Sequence, residues 1–169
     1  MTIIRRILLM APVILSCVGC DRITKAVARE YLAGSPELSF LGDLFRLQYA
    51  ENPGAFLGMG SGLPESARFW VFIMAVGAVL LGVLVWTLSS RSLRPVGVGA
   101  LSLVLGGGLS NLYDRVVNDG AVVDFLNLGL GGLRTGVFNV ADVAITTGVT
   151  LLLIGELMRS RKEPEYGKS

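Results

Sequence analysis

The amino-acid sequence predicts an all-α polytopic membrane protein with four transmembrane helices, a small extracytoplasmic β-sheet and a connecting loop or short helix. Three observations carry this. Of 169 residues, 52% are hydrophobic and 17% charged, with a mean hydropathy of +0.64, too apolar for an ordinary soluble domain. Apolar runs long enough to cross a bilayer recur along the chain. Basic residues gather at one set of run ends. Residues 1–169 are expected to form a single membrane-embedded domain.

The first span is expected over about residues 3–25, where Arg5 and Arg6 precede an uncharged run from Ile7 to Cys20, with both arginines snorkelling to the interface. The same parts make a signal peptide, and Cys17-Val18-Gly19-Cys20 loosely resembles a lipobox, so the competing reading is that the chain is itself a lipoprotein. Further spans follow, which makes a lone anchor redundant and favours a retained helix. Cys17 and Cys20 have no second ligand pair and sit in an apolar run, so they read as small packing residues.

Residues 26–68 mix charges, prolines and glycines and are expected outside the membrane. Leu38 to Ala50 carries enough Phe, Leu and Tyr for one or two short strands before the turn Asn52-Pro53-Gly54, giving a small sheet resting on the membrane surface. The second and third spans are expected over about 69–88 and 95–113, joined by a short basic loop. Gly106-Gly107-Gly108 in the third permits close approach of a neighbouring helix or a substrate backbone. A second extracytoplasmic connection covers 114–136, and the last span covers about 137–158. Because Arg5, Arg6, Arg91, Arg94, Arg159, Arg161 and Lys162 sit at one set of span ends, both termini are expected in the cytoplasm. Asn52, Asp114, Asp124 and Asp142 then meet at the outer face.

There is no histidine, which removes imidazole metal sites, Ser-His-Asp and Cys-His catalysis. No cofactor or metal is expected, and with no Lys/Arg block interleaved with aromatics, no nucleic acid. What remains is carboxylate chemistry. Acids are costly at a membrane edge unless they pair, face a cavity or hold a proton, and Asn111 to Asp142 is rich in them. Two carboxylates held close share one proton and serve as base and acid around one water. Asp124 and Asp142 are the proposed pair, although eighteen intervening steps of chain give them no local geometry. Other roles stand beside this: Asp114 in an ion pair with Arg115, Asp119 as a turn residue, Asn139 as an N-cap and Asp142 as a helix N-terminal acid. The competing functions are a non-catalytic lipid-binding or transport subunit with a polar cavity, and a peptidase using Lys25 with Ser110.

Five ordered blocks resemble a known family: Asp21-Arg22-Ile23-Thr24-Lys25, Asn52-Pro53-Gly54-Ala55, Gly107 to Arg115, Val122-Val123-Asp124-Phe125 and Phe138-Asn139-Val140-Ala141-Asp142 look like those of the type II, or lipoprotein, signal peptidases. The resemblance implies a bacterial inner-membrane aspartyl endopeptidase that cleaves prolipoprotein signal peptides just before a diacylglyceryl-modified cysteine. It implies Asp124 and Asp142 as the catalytic pair and Asn111, Arg115 and Asn139 as polar residues supporting the site. Asn52 and Gly54 would meet the substrate, and Asp21 and Lys25 would form a supporting pair near the end of the first helix. It also implies membrane lipids and globomycin-like inhibitors as ligands, with a monomer expected, and settles the N-terminus as a retained helix. The family block more often runs Asn-x-Gly-Ala-Ala-Phe, whereas here Phe56 directly follows Ala55. Asn52 to Gly58 is expected to close over the substrate as a lid.

Overall fold

The computed structural model of the protein describes residues 1–54, 59–60 and 62–160. The lid expected over Asn52 to Gly58, with its Phe56, thus lies largely outside the described residues, as do Arg161 and Lys162. Among the described residues four helices are long and apolar enough to cross a membrane. The first is α1, Ile3–Leu32; the second joins α2, Glu65–Arg68, through a π-helical stretch, Phe69–Ala75, to α3, Val76–Ser89; the others are α4, Pro95–Val117, and α5, Val140–Ser160. The strands β1, Leu38–Phe40, β2, Phe45–Asn52, β3, Val122–Leu130, and β4, Leu133–Arg134, form one antiparallel sheet in chain order.

Three boundaries differ from expectation. α1 continues to Leu32 instead of ending near residue 25, because Ala28 and Leu32 are buried against Phe125 of β3. α4 continues through Asp114 and Arg115 to Val117, since both charged side chains find buried partners there. The connection after α4 contains the strand β3 and its hairpin with β4, so the small sheet, expected from residues 38–50 alone, takes strands from both extramembrane segments.

The helices pack around α4. Its three consecutive glycines face three different neighbours, because successive helix positions point about 100° apart. A Cβ on Gly106 would lie 2.7 Å from Cβ of Cys17 in α1, one on Gly108 2.5 Å from Leu80 in α3, and one on Gly107 2.4 Å from the Ala141 carbonyl of α5. The close approach is therefore helix to helix, and Cys17 is a packing residue as expected. Gly148 repeats the α4–α5 contact further along, against the Ala100 carbonyl at 2.5 Å. Gly107→Ala sets a methyl against backbone that cannot rotate away, so we expect a loss of about 1–3 kcal/mol from overpacking. Thermal unfolding in detergent measures it, and an unchanged midpoint would contradict the packing described.

Arg5 is exposed, but Arg6 does not snorkel. Its guanidinium is buried and donates to the Thr87 and Ser90 carbonyls at the end of α3, adding side-chain donors to that helix C-terminus. This ties the start of α1 to the α3–α4 connection. Further along, α1 meets α4 and the start of α5 through Asp21. The turn between β1 and β2 places Leu41, Gly42 and Asp43 at positive φ. Bonds from Arg46 first, then Ser39, hold the Asp43 carboxyl well below the usual carboxylate range, and Arg134 of β4 reaches it across the sheet at 3.0 Å.

Candidate active site

Asp142 sits in the first turn of α5, positioned by a local motif. Oδ1 of Asn139 accepts from the Asp142 amide at 2.9 Å, and Oδ2 of Asp142 accepts from the Asn139 amide at 3.2 Å. This reciprocal pair has the geometry of a capping box, with Asn139 as the N-cap. Asp21 extends the cap from α1, its Oδ1 accepting from the Ala141 amide at 2.8 Å. The helix terminus that carries Asp142 is therefore fixed from within and from a neighbouring span.

Asp124 comes from β3, which the register pairs with Ala50 of β2. Asn52, two residues along β2, donates Nδ2 to Oδ2 of Asp124 at 2.9 Å, while its Oδ1 accepts from the Gly54 amide at 2.9 Å. Nδ2 of Asn139 donates to Oδ1 of Asp124 at 2.6 Å. Asn139 thus touches both aspartates, one with its side-chain amide and the other with its backbone amide. Asn111 of α4 completes the ring by donating to Oδ1 of Asp142 at 2.9 Å and accepting from Asn139 at 3.1 Å. Arg115 donates to the Gly54 carbonyl at 2.5 Å and lies over the Phe72 ring at 5.8 Å.

The buried acids divide by what they bind. Ammonium protons of Lys25 reach Oδ2 of Asp21 at 2.7 Å, Oδ2 of Asp114 at 2.8 Å and Oδ1 of Asn111 at 2.8 Å, using all three. Arg22 pairs with the other oxygen of Asp114. Asp124 and Asp142, 2% and 8% exposed, receive one bond on each oxygen, all from amides, and make no ion pair among the described residues. Burial is the main cause that pushes the Asp124 carboxyl up to about 6; the Asn52 bond opposes it, and the Asp142 charge adds to it.

Every site residue named from the sequence except Gly54 brings a side chain to this network, and Gly54 contributes its backbone. Two assignments change. Asp114 pairs with Arg22 and Lys25, not with Arg115, because adjacent helix residues point in different directions and α1 offers two cations to that face. Asp21 and Lys25 lie well inside α1 instead of near its end. Asp119 is a turn residue as expected, at φ 50° before Gly120 at 87°. The sequence reading missed the roles of Arg22 and Ser110, whose Oγ donates to Oδ2 of Asp21 at 2.7 Å. The i, i+4 spacing of Asp21 and Lys25 signalled a pair, but nothing local signalled the partners on α4.

A cavity of about 380 Å³ opens beside Asp142, floored by Asn111 and Arg115 and walled by Phe72, Ile145, Thr146 and Val149. Ile145, Thr146 and Val149 follow Asp142 at three, four and seven positions, so one face of α5 carries the groove from the carboxylate into the span.

Fold and site together define a multi-pass membrane protein with two buried carboxylates, neither ion-paired among the described residues, at one end of its helices. The family model for signal peptidase (SPase) II matches residues 13–158. The lipoprotein signal peptidase of Chlorobium luteolum is 36% identical over 146 residues, covering 81% of this chain and 84% of that protein. That of Sphingopyxis alaskensis is 38% identical over 144 residues, covering 84% and 81%. A bacterial membrane enzyme solved by the in meso method at 2.3 Å resolution shares the fold, with a TM-score of 0.77, 24% identity and 94% of each chain covered. The chain belongs to the signal peptidase II family, and it is a peptidase.

Proposed function

We propose that this protein cleaves the signal peptide from diacylglyceryl-modified prolipoproteins just before the lipidated cysteine, as an aspartic endopeptidase using Asp124 and Asp142. The observation that carries the assignment is that these two buried acids share Asn139 and make no ion pair among the described residues, while Asp21 and Asp114 are ion-paired. Two such carboxylates do not both ionise cheaply, so the pair holds one proton. The ionised member takes a proton from water as the water oxygen attacks the scissile carbonyl. The protonated member donates to the carbonyl oxygen, and its proton passes to the nitrogen as the carbon–nitrogen bond breaks. Asn52, Asn111 and Asn139 orient the carboxylates without neutralising them. The groove along α5 suits the apolar part of a signal peptide.

The Lys25 and Ser110 alternative has little support, since a lysine with all three protons donated has no lone pair to act as base. A non-catalytic cavity protein is not favoured by the family. Because the network is complete within one chain, a monomer suffices. The inner membrane with both termini in the cytoplasm is the matching location: Arg5, Arg91, Arg94 and Arg159 lie at the span ends away from the site. A globomycin-like cyclic peptide would compete by occupying the carboxylate pair.

The test is the pH profile of cleavage. The Asp142 charge is among the causes that raise the Asp124 carboxyl to about 6, so it is the pair's first proton that enters near there, and kcat/KM should rise as pH drops from about 8 through about 6, not 4. Asn52→Ala removes a bond that favours the charged form and should move that limb to higher pH. A flat profile from the neutral range down to about pH 4.5 would count against the assignment.

A further inference from the structure

Cross-strand partners point to the same side of a sheet, and along a strand every second residue does. The side that carries Asn52 and Asp124 over the helix ends continues along β3 through Leu126 and Leu128 to Leu130. Register adds Phe45 opposite Leu128, Phe40 opposite Phe45, Leu38 opposite Leu47 and Leu133 opposite Leu130. Away from the site, this side is therefore apolar at every position. The reverse side, over the same stretch, carries Ser39, Arg46, Asn127 and Arg134, with Arg46 and Arg134 both bonded to Asp43.

Towards the end of the sheet far from the helices, the apolar side is open. Leu130 and Leu133 are 76% and 82% exposed, Leu41 in the adjoining β1–β2 turn is 80% exposed, and Leu38, Phe40 and Leu128 are also exposed. A patch of this extent in water marks an interaction surface. What covers it follows from continuity. Asp124 on this side meets Asn139 at the membrane end of α5, so the same side, carried past the helices, looks towards the bilayer that surrounds them. Segregation of apolar and hydrogen-bonded charged groups onto opposite sides is the pattern of an element lying in a membrane interface.

We propose that the distal half of the sheet is inserted by its leucine side into the acyl and headgroup boundary of the leaflet adjoining the site, and that the lipid bilayer is its partner. This goes beyond a sheet resting on the surface: it makes the strand carrying Asp124 a lever held at one end by lipid, which sets the depth of that carboxylate relative to a lipid-anchored substrate.

The test uses the full chain with Cys17→Ala and Cys20→Ala, in nanodiscs containing phosphatidylglycerol, spin-labelled at Leu130→Cys, Leu133→Cys or, on the reverse side, Ser39→Cys. These positions are exposed, so labelling does not disturb the packed interior. Labels at 130 and 133 are expected to collide severalfold more often with oxygen than with a water-soluble nickel complex, and the label at 39 the reverse. Equal nickel access on both sides would overturn the proposal, as would dipolar broadening between labels at 133, which would mean that a second copy covers the patch. Leu130→Asp with Leu133→Asp gives an independent readout. Cleavage should be retained in detergent and reduced severalfold in nanodiscs, and an equal rate in both settings would also contradict it.

Discussion

Asp124→Asn and Asp142→Asn should each abolish prolipoprotein cleavage while leaving the protein folded. Asparagine keeps the shape and one acceptor oxygen at either position, so one of the two amide bonds to each is retained and the Asn139 Oδ1 cap on the Asp142 amide remains. What disappears is the ability to take and return a proton. General acid–base catalysis contributes about 10²–10⁴-fold, and members of a catalytic unit fail together, so a fall of at least about 10³-fold in kcat is expected from either change. Purified variants assayed against a diacylglyceryl-modified prolipoprotein in detergent measure it. Asp114→Asn differs in kind: Asp114 accepts from Arg22 and Lys25 and lies apart from the pair, so its loss should appear chiefly in stability.

Lys25→Met should be the most destabilising substitution outside the apolar core. It leaves two fully buried carboxylates, Asp21 and Asp114, with only Arg22 to offset one of them. Removing one partner of a buried ion pair costs about 3–5 kcal/mol, because the other charge stays buried and uncompensated. The effect then spreads to the site by a traceable route. Asn111 loses the ammonium that orients its carbonyl oxygen, and with it the orientation of the amide that serves Asp142. Asp21, which also caps the Ala141 amide, loses its cation. Chemical denaturation should show the loss, and Lys25→Met combined with Asp114→Asn should recover part of it. A single variant as stable as the parent would contradict the described network.

These predictions depend on features that were unequally legible in the sequence. The four spans could be read directly, because an apolar run of membrane length has few other uses. Asp142 stood out as an acid in the opening turn of such a run, with Asn139 three residues before it at capping distance. Asp124 did not. Spacing offered no reason to prefer it over Asp114, and only the family blocks separated the two. The structure supplies the physical distinction: α1 ion-pairs Arg22 and Lys25 with Asp114 and places neither in contact with Asp124. That information lies in how α1 packs on α4, some ninety residues apart in the chain.

β3 was hidden for a different reason. From Val122 to Leu130 its outward and inward positions are both largely apolar, so the alternation that announces a half-buried strand is absent. The extension of α1 to Leu32 was missed because charges after Cys20 read as the end of a span, whereas the helix simply continues out of the membrane beneath the sheet. Arg6 shows the converse limit. A basic residue near a span end is ordinarily a snorkelling side chain, and only the carbonyls of Thr87 and Ser90 reveal it as a cap for another helix.

The most direct test of the central claim, that Asp124 and Asp142 act together on one water, is the crystal structure of the protein bound to a lipidated prolipoprotein peptide whose scissile amide is replaced by a hydroxyethylene group. The hydroxyl then stands where the attacking water would be. The account predicts that it lies within about 3.2 Å of a carboxyl oxygen of both Asp124 and Asp142. A hydroxyl contacting only one of them, or seated beside Lys25 and Ser110, would contradict it.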